Sequence, residues 1–362
     1  MTQLYLLQFT SCVVTALMAV MLAVSRFQIR WPSERYETSR WLIAFGMAML
    51  SLHYVLQMKH GFRERGDEIG AVVNILFYAP IALIISYATY NVVCSHPKGR
   101  KRYIQMGILF YLLILAVFAV GYQVMGSLRL GFFVIVMLGL FFASIVYCFM
   151  VNVMEMRRHR KIMEEESATD MLPYDRFTFF TYLHMGVSVT MLMGGILYRP
   201  LLFFVGPLML LSLFTFTTSF VAYGYNIMPA DDLLDEETDE SVSGVDTDKM
   251  ARIEAALRDW CVQGGYRDST TNMISLSLKI QVSKDDLSQY FERYLGSTFR
   301  VWLSDIRFQE AQRLIKENPE LSNDSISMEC GLSSHAHLYK IFKAKTGMTP
   351  RQWKLSQHET AG

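Results

Sequence analysis

Seven long apolar segments occupy the first two-thirds of this 362-residue chain and constrain its fold more than any other feature. Each segment approaches or exceeds the roughly 20 residues that a helix needs to cross the hydrocarbon core of a bilayer. Asp, Glu, Lys and Arg are confined to the flanks of these segments. The sequence therefore predicts seven transmembrane helices, at about residues 4–24, 40–58, 69–94, 103–124, 130–154, 177–198 and 201–225.

Lysine and arginine are distributed unevenly between the loops that join these segments. The loop after the first segment and every second loop from there carry thirteen of them, against five in the remaining loops. Loops rich in Lys and Arg stay in the cytoplasm. We therefore expect a multi-pass protein of the inner membrane, with its N-terminus outside and everything after Tyr225 in the cytoplasm.

Two histidines stand out among the few polar residues within the predicted spans. Polar groups inside a bilayer are costly and are often functional, so His53 and His184 are candidates for an intramembrane ligand site. The simpler alternative is that both side chains form hydrogen bonds between helices. The predicted outside loops are too short to fold into a sensor domain, so a signal would act within the membrane, at its surface or through a partner.

Catalytic and metal-binding motifs are missing from the sequence. The five cysteines are scattered without a CxxC pair, which argues against both a disulfide framework and a metal cluster. We find no nucleophile motif, paired carboxylates or glycine-rich phosphate loop. We therefore expect a protein that is not an enzyme and that binds no cofactor and no metal.

Composition changes abruptly after the last apolar segment. Residues 227–248 contain nine acidic residues and no basic one, a pattern typical of a disordered tether. We therefore expect three parts: a seven-span transmembrane domain at 1–226, an acidic linker at 227–248 and a C-terminal domain at 249–356. All elements are predicted to be helical, so the fold class is all-α.

Two similar patterns, about fifty residues apart, define the C-terminal domain. In the first, Ser283 is predicted to cap a helix that ends at Gly296. In the second, a helix is predicted to start at Ser333 and to end at Gly347. Between them, residues 299–317 form a long amphipathic helix. The alternating apolar residues of 274–282 would locally suit a strand, but this wider pattern favours a helix. The buried faces are predicted to contain Leu287, Tyr290, Phe291 and Tyr294, then Leu338, Ile341 and Phe342.

Residues of about 250–354 resemble the DNA-binding domain of the AraC/XylS family of bacterial transcription regulators. The family implies two helix-turn-helix units joined by a long helix, each placing a helix in the major groove. The sequence departs from the family pattern at Ser277 and Ser327 (usually Ala), Gln281 (usually Gly) and Leu332 (usually aromatic). The matching residues are Val282, Ser283, Leu287, Phe291, Leu295, Gly296, Arg307, Ala311, Leu314, Ile315, Ile326, Gly331, Leu332, Ser333, Leu338, Ile341, Phe342, Lys343, Thr346, Gly347, Met348, Thr349, Pro350, Trp353 and Lys354.

The two predicted recognition helices differ in charge. The first carries Asp285, Asp286 and Glu292, and acids weaken binding to phosphates. From Ser333 to Lys354 there are five basic residues and no acid. We therefore expect the second unit to supply most of the affinity for DNA.

Helix geometry assigns a role to each candidate DNA-binding residue. In the second unit, Ser334, His335 and Tyr339 are predicted to read base edges, and Lys340, Lys343 and Arg351 to contact phosphates. An alternative interpretation makes His335 and His337 solvated surface residues. In the first unit, the candidates are Lys284, Ser288, Gln289 and Arg293, because Gln pairs with adenine and Lys with guanine.

These predictions combine into one functional hypothesis, a membrane-tethered, sequence-specific transcription regulator whose transmembrane bundle senses or relays a signal. Its expected partners are double-stranded DNA and membrane lipid. RNA polymerase, a second copy of the chain, and a small ligand or membrane partner are further candidates. The alternative hypothesis is a membrane receptor or transporter-like protein whose helical tail binds a protein.

Overall fold

The computed structural model describes residues 3–25, 33–94, 96–166, 171–191, 199–226 and 247–359. The regular elements in these ranges are helices, which confirms the predicted all-α class. The predicted tether at 227–248 lies outside the described residues except for its last two, which begin a helix. The chain divides into two compact units, one of residues 1–159 and 172–235 and one of residues 160–171 and 236–362.

The first unit, called the N-terminal unit here, contains seven long helices in its described residues. Six of them, α1 to α5 and α7, are long and apolar enough to cross a membrane. Helix α6 is not among these six, and the span predicted there at 177–198 runs partly outside the described residues. The seventh span therefore stays a prediction. The helices are α1 (Gln3–Val24), α2 (Glu34–His60), α3 (Asp67–Val93), α4 (Pro97–Met125), α5 (Phe132–Glu166), α6 (Leu172–Thr190) and α7 (Arg199–Asn226).

A proline lies inside helix α3, where it needs compensation from a neighbour. Pro80 has no N–H, so the carbonyl of Leu76 loses its helical donor. The hydroxyl of Tyr111 in α4 donates to Leu76 O at 3.3 Å. This bond satisfies the carbonyl and joins α3 to α4, as a buried backbone group in an apolar environment requires.

The second unit, called the C-terminal unit here, contains the predicted double helix-turn-helix arrangement. A short 3-10 helix, Gly265–Arg267, follows its first helix, and the five-residue π-helical turn Tyr290–Tyr294 continues its third. The α-helices are α8 (Thr247–Val262), α9 (Met273–Ile280), α10 (Lys284–Gln289), α11 (Phe299–Glu317), α12 (Asn323–Glu329), α13 (His335–Thr346) and α14 (Pro350–Glu359).

Helix α11 passes through two separate hydrophobic cores. Its first half places Phe299 and Leu303 in a core with α8, α9 and α10. Its second half places Ala311, Leu314 and Ile315 in a core with α12, α13 and α14. Since residues between 250 and 353 build both cores, this unit buries its own apolar surface.

Residues Met273–Ile280 form helix α9 and not a strand, as the wider pattern predicted. Asn272 caps it by accepting a hydrogen bond from Ser275 N at 2.8 Å, and Ser275 Oγ accepts from Asn272 N at 3.0 Å. This reciprocal capping box satisfies two backbone donors that the first turn would otherwise leave unpaired. Met273 and Leu276 then lie on the buried side, so helical spacing outweighs the local alternation.

Candidate nucleic-acid interface

The two helix-turn-helix units use the same backbone turn with different residues. Gln281 has φ 57° between α9 and α10, and Gly331 has φ 71° between α12 and α13. The next residue in each turn donates its N–H to an equivalent carbonyl, Val282 to Ser277 O at 3.0 Å and Leu332 to Ser327 O at 2.8 Å. Gln281, a departure from the family pattern, thus occupies a conformation that costs an L-residue about 1–2 kcal/mol.

Gly331 lies against backbone from the other half of the unit. A Cβ atom at this position would come within 2.3 Å of Tyr266 O and 2.7 Å of Arg267 C. Glycine is therefore required here for both its left-handed conformation and its lack of a side chain. The loop between α8 and α9 consequently fixes the turn of the second helix-turn-helix.

Arg307, in the middle of α11, binds the same loop from another direction. Its Nε donates to Tyr266 O at 2.9 Å and its Nη2 donates to Asp268 O at 2.8 Å. The side chain is 1% exposed, and burial lowers its pKa to about 10, so it remains charged at neutral pH. Together Gly331 and Arg307 attach both halves of the C-terminal unit to one loop, an arrangement that sequence patterns did not reveal.

Helix α13 presents one exposed polar side and one buried apolar side. Leu338, Ile341 and Phe342 are buried as predicted. The candidates His335, Tyr339, Lys340 and Lys343 are exposed, and Arg351 at the start of α14 is exposed too. The candidate DNA-binding residues of the second helix-turn-helix unit, apart from Ser334, therefore lie on the accessible surface of α13 and α14.

Ser334 and His337 are not the exposed polar side chains that the sequence suggested. The helix begins at His335 and not at Ser333, and Ser334 is its N-cap, accepting a hydrogen bond from His337 N at 3.2 Å. His337 is only 9% exposed, so the solvated interpretation is wrong for this residue. His335 is largely exposed and lies 3.1 Å from Asp324 Oδ1 of α12.

Two of the five basic residues counted in the second helix-turn-helix unit form bonds to distant parts of the chain. Lys345 pairs with Asp305 of α11, and Lys354 donates to the carbonyl of Pro319. Both bonds bring distant parts of the chain together, so they contribute to the fold of the unit. The cations predicted to contact phosphates, Lys340, Lys343 and Arg351, are exposed.

The candidate residues of the first helix-turn-helix unit are less accessible. Lys284, Ser288 and Gln289 are half-buried, and Arg293 is exposed. Tyr294, predicted to be buried, is 53% exposed, because the π-helical turn Tyr290–Tyr294 changes which residues face the core.

One acid of the first recognition helix has a basic partner outside that helix. Lys249 of α8 lies 2.6 Å from Asp286 Oδ1. Partial burial raises the pKa of Asp286, but hydrogen bonds from Lys249 and Ser283 outweigh it and lower the pKa below its ordinary value. The first helix-turn-helix unit is thus less negative than the sequence of its recognition helix alone indicates.

The two histidines predicted to lie within the membrane are on different helix pairs. His53 Nε2 is 3.1 Å from the side-chain amide of Asn74, which joins α2 to α3. His184 Nδ1 is 3.2 Å from Ser212 Oγ, which joins α6 to α7. The structure does not bring the two histidines together, and each forms the interhelical bond that the simpler alternative predicted. Within the described ranges, no group of three or more His, Cys, Asp or Glu side chains could hold a metal ion.

Comparison with known proteins assigns a class to the C-terminal unit. Residues 276–356 match the family model described as "Helix-turn-helix domain". This match covers α10 to α13 and parts of α9 and α14, including every candidate DNA-binding residue. Together with the relatives described next, it supports a DNA-binding helix-turn-helix domain of the AraC type in this part of the chain.

The matching relatives are bacterial transcription activators. The HTH-type transcriptional activators RhaR of Salmonella arizonae, Salmonella newport and Salmonella dublin are each 35% identical over 74 residues, which is 20% of this chain. The matched region is 26% of each relative, so the chain spans about a quarter of their length. No solved structure matches the chain.

Proposed function

We propose that the protein is a membrane-tethered, sequence-specific transcription regulator whose transmembrane bundle senses or relays a signal to the helix-turn-helix domain. The observation that carries this proposal is the accessible surface of α13. Tyr339, Lys340 and Lys343 follow one another along this helix, which belongs to the region that matches a helix-turn-helix domain. Three supporting features are the AraC-type match, the names of the relatives and the six membrane-competent helices.

The chemistry of this surface fits duplex DNA. Lys340, Lys343 and Arg351 are long cations that neutralise phosphates and release counterions. His335 and Tyr339 can bond to base edges from the same helix. Ser334 is assigned to the helix cap, where its backbone and hydroxyl fix the angle at which the helix begins. Lys284, Gln289 and Arg293 of the first unit then contribute discrimination more than affinity.

The proposed topology follows the distribution of basic loops, with seven spans, an outside N-terminus and a cytoplasmic C-terminal unit. DNA and membrane lipid are the proposed partners. Contact with RNA polymerase and pairing of two copies on two half-sites belong to the same proposal, since an activator bound near a promoter would use both.

The decisive experiment maps genomic DNA bound in cells by the whole chain and by residues 246–362 alone. We expect both forms to occupy a shared set of sites, with occupancy by the whole chain depending on growth conditions. Occupancy that is identical in every condition would refute the sensing role. Absence of enriched DNA for both forms, with a protein co-purifying instead, would refute DNA binding.

Charge reversal at Lys340 and Lys343 tests the assigned surface in vitro. We expect K340E/K343E to lower duplex affinity by at least about a hundredfold and to reduce the salt dependence by two or more phosphate contacts. The matched control is R252E/R258E, which changes the charge equally on exposed positions of α8. Undiminished binding by K340E/K343E would refute the role of α13.

A further inference from the structure

The N-terminal unit contains a cavity between five of its helices. Its walls come from α2, α3, α5, α6 and α7, and its volume is about 120 Å³. Ligand sites often lie between the helices of a bundle, and an apolar cavity of about 150 Å³ holds a molecule the size of benzene. The cavity therefore suits a small apolar molecule.

The hydroxyl groups in the cavity wall are used by the protein itself. Thr89, Ser144, Thr181 and Ser188 each donate to a carbonyl of their own helix, at distances of 2.7–3.0 Å. These bonds leave mainly carbon facing the space, together with aromatic and aliphatic side chains. An occupant must consequently be largely apolar.

His184 is the exception, because its ring has an unused nitrogen. The residue lines the cavity and is 8% exposed. Among the described residues its one side-chain hydrogen bond is from Nδ1 to Ser212 Oγ, at 3.2 Å. The ring stacks on Phe216 with centroids 5.3 Å apart, which holds it in one orientation.

The hydrogen-bond network determines what Nε2 can bind. Ser212 Oγ donates its proton to Met209 O at 2.8 Å, so it must accept from His184 Nδ1–H. In a neutral ring the other nitrogen, Nε2, is then a bare acceptor. His184 lines the cavity, so a ligand there that donates a hydrogen bond would satisfy this acceptor.

We propose that this cavity binds an apolar molecule with a single hydroxyl group, an aliphatic alcohol or a phenol, whose O–H donates to His184 Nε2. The apolar part fills the space between α3, α5 and α7. The ligand would contact α7, the last helix before the tether, so its role as the regulatory signal rests on the proposed function. Its binding does not.

The test uses the full chain in phosphatidylcholine nanodiscs and two photoreactive probes. One is a hexanol with a diazirine in its chain, and the other is its methyl ether, which has no proton to donate. Adducts are located by mass spectrometry of peptides. We expect saturable labelling of cavity-lining peptides by the alcohol, about tenfold more efficient than by the ether, since one hydrogen bond to a buried group is lost. The ether partitions better into lipid, which works against this preference.

Two variants separate the hydrogen bond from the space. His184→Phe keeps an aromatic ring against Phe216 and is expected to reduce alcohol labelling to the level of the ether. Ala82→Phe fills the cavity and is expected to abolish labelling by both probes. Helical content and elution as a single species show that each variant is folded, and the comparison of the two probes on the unmodified chain needs no variant.

Equal labelling by both probes would overturn the proposal, as would adducts spread over outward-facing side chains such as Phe132 and Phe204. Duplex DNA binding is measured on the same preparation. Cavity labelling without DNA binding would refute the regulator and retain the ligand site, whereas DNA binding without cavity labelling would refute the ligand site alone.

Discussion

The two helix-turn-helix units share a backbone design but differ in what holds each turn in place. Gln281 is exposed and its left-handed conformation is a local cost of the first turn. Gly331 has the same conformation, yet the backbone of Tyr266 and Arg267 lies directly against it. The first turn can therefore accept other residues, whereas the second cannot, because it is part of the contact between the two halves.

The units also differ in how their charges are used. The first unit offsets Asp286 with Lys249 of α8, and the second uses Lys345 and Lys354 to hold distant segments. A count of charges along each helix therefore makes the first helix-turn-helix unit look too acidic and the second too basic. What remains is a second unit with three accessible cations and a first unit near neutrality, which is the difference that the following predictions test.

The largest effect is expected from Gly331→Ala. The new Cβ must displace the backbone of Tyr266 and Arg267 as well as adopt a positive φ, so we expect a loss of about 3–5 kcal/mol in the free energy of unfolding. Urea denaturation of residues 246–362 measures it. A change below about 1 kcal/mol would show that the loop does not press on the turn.

Arg307→Met should follow, with a loss of about 2–4 kcal/mol. The substitution leaves the carbonyls of Tyr266 and Asp268 without their buried donor. The same urea titration applies, and Arg313→Met on the exposed side of α11 is the control. Equal losses for both variants would contradict the proposed clamp.

Neutralising the cations of each unit should separate their contributions to affinity. We expect K340Q/K343Q to weaken duplex binding by about 30-fold, or about 2 kcal/mol, and K284Q/R293Q by less than about fivefold. Fluorescence anisotropy at several salt concentrations gives both values. A larger loss in the first unit would reverse the assignment of the affinity to α13.

Gln281→Gly should stabilise the protein, in contrast to a substitution at Gly331. Glycine removes the cost of the left-handed conformation, partly offset by its greater freedom in the unfolded chain, so the expected gain is about 1 kcal/mol. Thermal unfolding of residues 246–362 reports it. A loss of stability would show that the Gln281 side chain contributes a contact.

The smallest effect concerns Glu310, whose pKa is lowered by the hydrogen bond from Arg313, with partial burial opposing this shift. A carboxyl with a lowered pKa stabilises the fold fully above its ordinary value of 4.5, and this stability is lost as the pH falls through the folded pKa. Glu310→Gln should therefore cost about 0.5–1 kcal/mol at pH 7. The difference should vanish in strongly acidic buffer, and a constant difference would exclude an ionic origin.

Sequence patterns predicted the helices well, because apolar spacing and caps are local properties. The ends at Gly296 and Gly347 follow from residues within a few positions of each. Helix α9, by contrast, was predicted from the wider pattern of the domain, because its local alternation suits a strand. The choice between Ser333 and Ser334 as the cap of α13 could not be made, since both are good caps and only the fold decides which backbone turns inward.

The interactions that sequence patterns missed join residues far apart in the chain. Lys249 and Asp286 are 37 positions apart by their numbers, and Arg307 reaches carbonyls about forty residues earlier. No periodicity within one helix encodes such pairs. The exposure of Tyr294 was missed for a different reason, because it depends on a π-helical turn that has no clear signature in composition.

The position of the loop Tyr266–Asp268 has a consequence for the order of folding. Its two anchors, Arg307 and Gly331, are both synthesised later than the loop itself. The first helix-turn-helix can therefore form its own core on the ribosome, but the loop acquires its final conformation only when the start of the second unit emerges. Contacts of such sequence separation form late and slow the folding of small domains. Amide exchange in this loop should accordingly slow down last during refolding, after the first core is already protected.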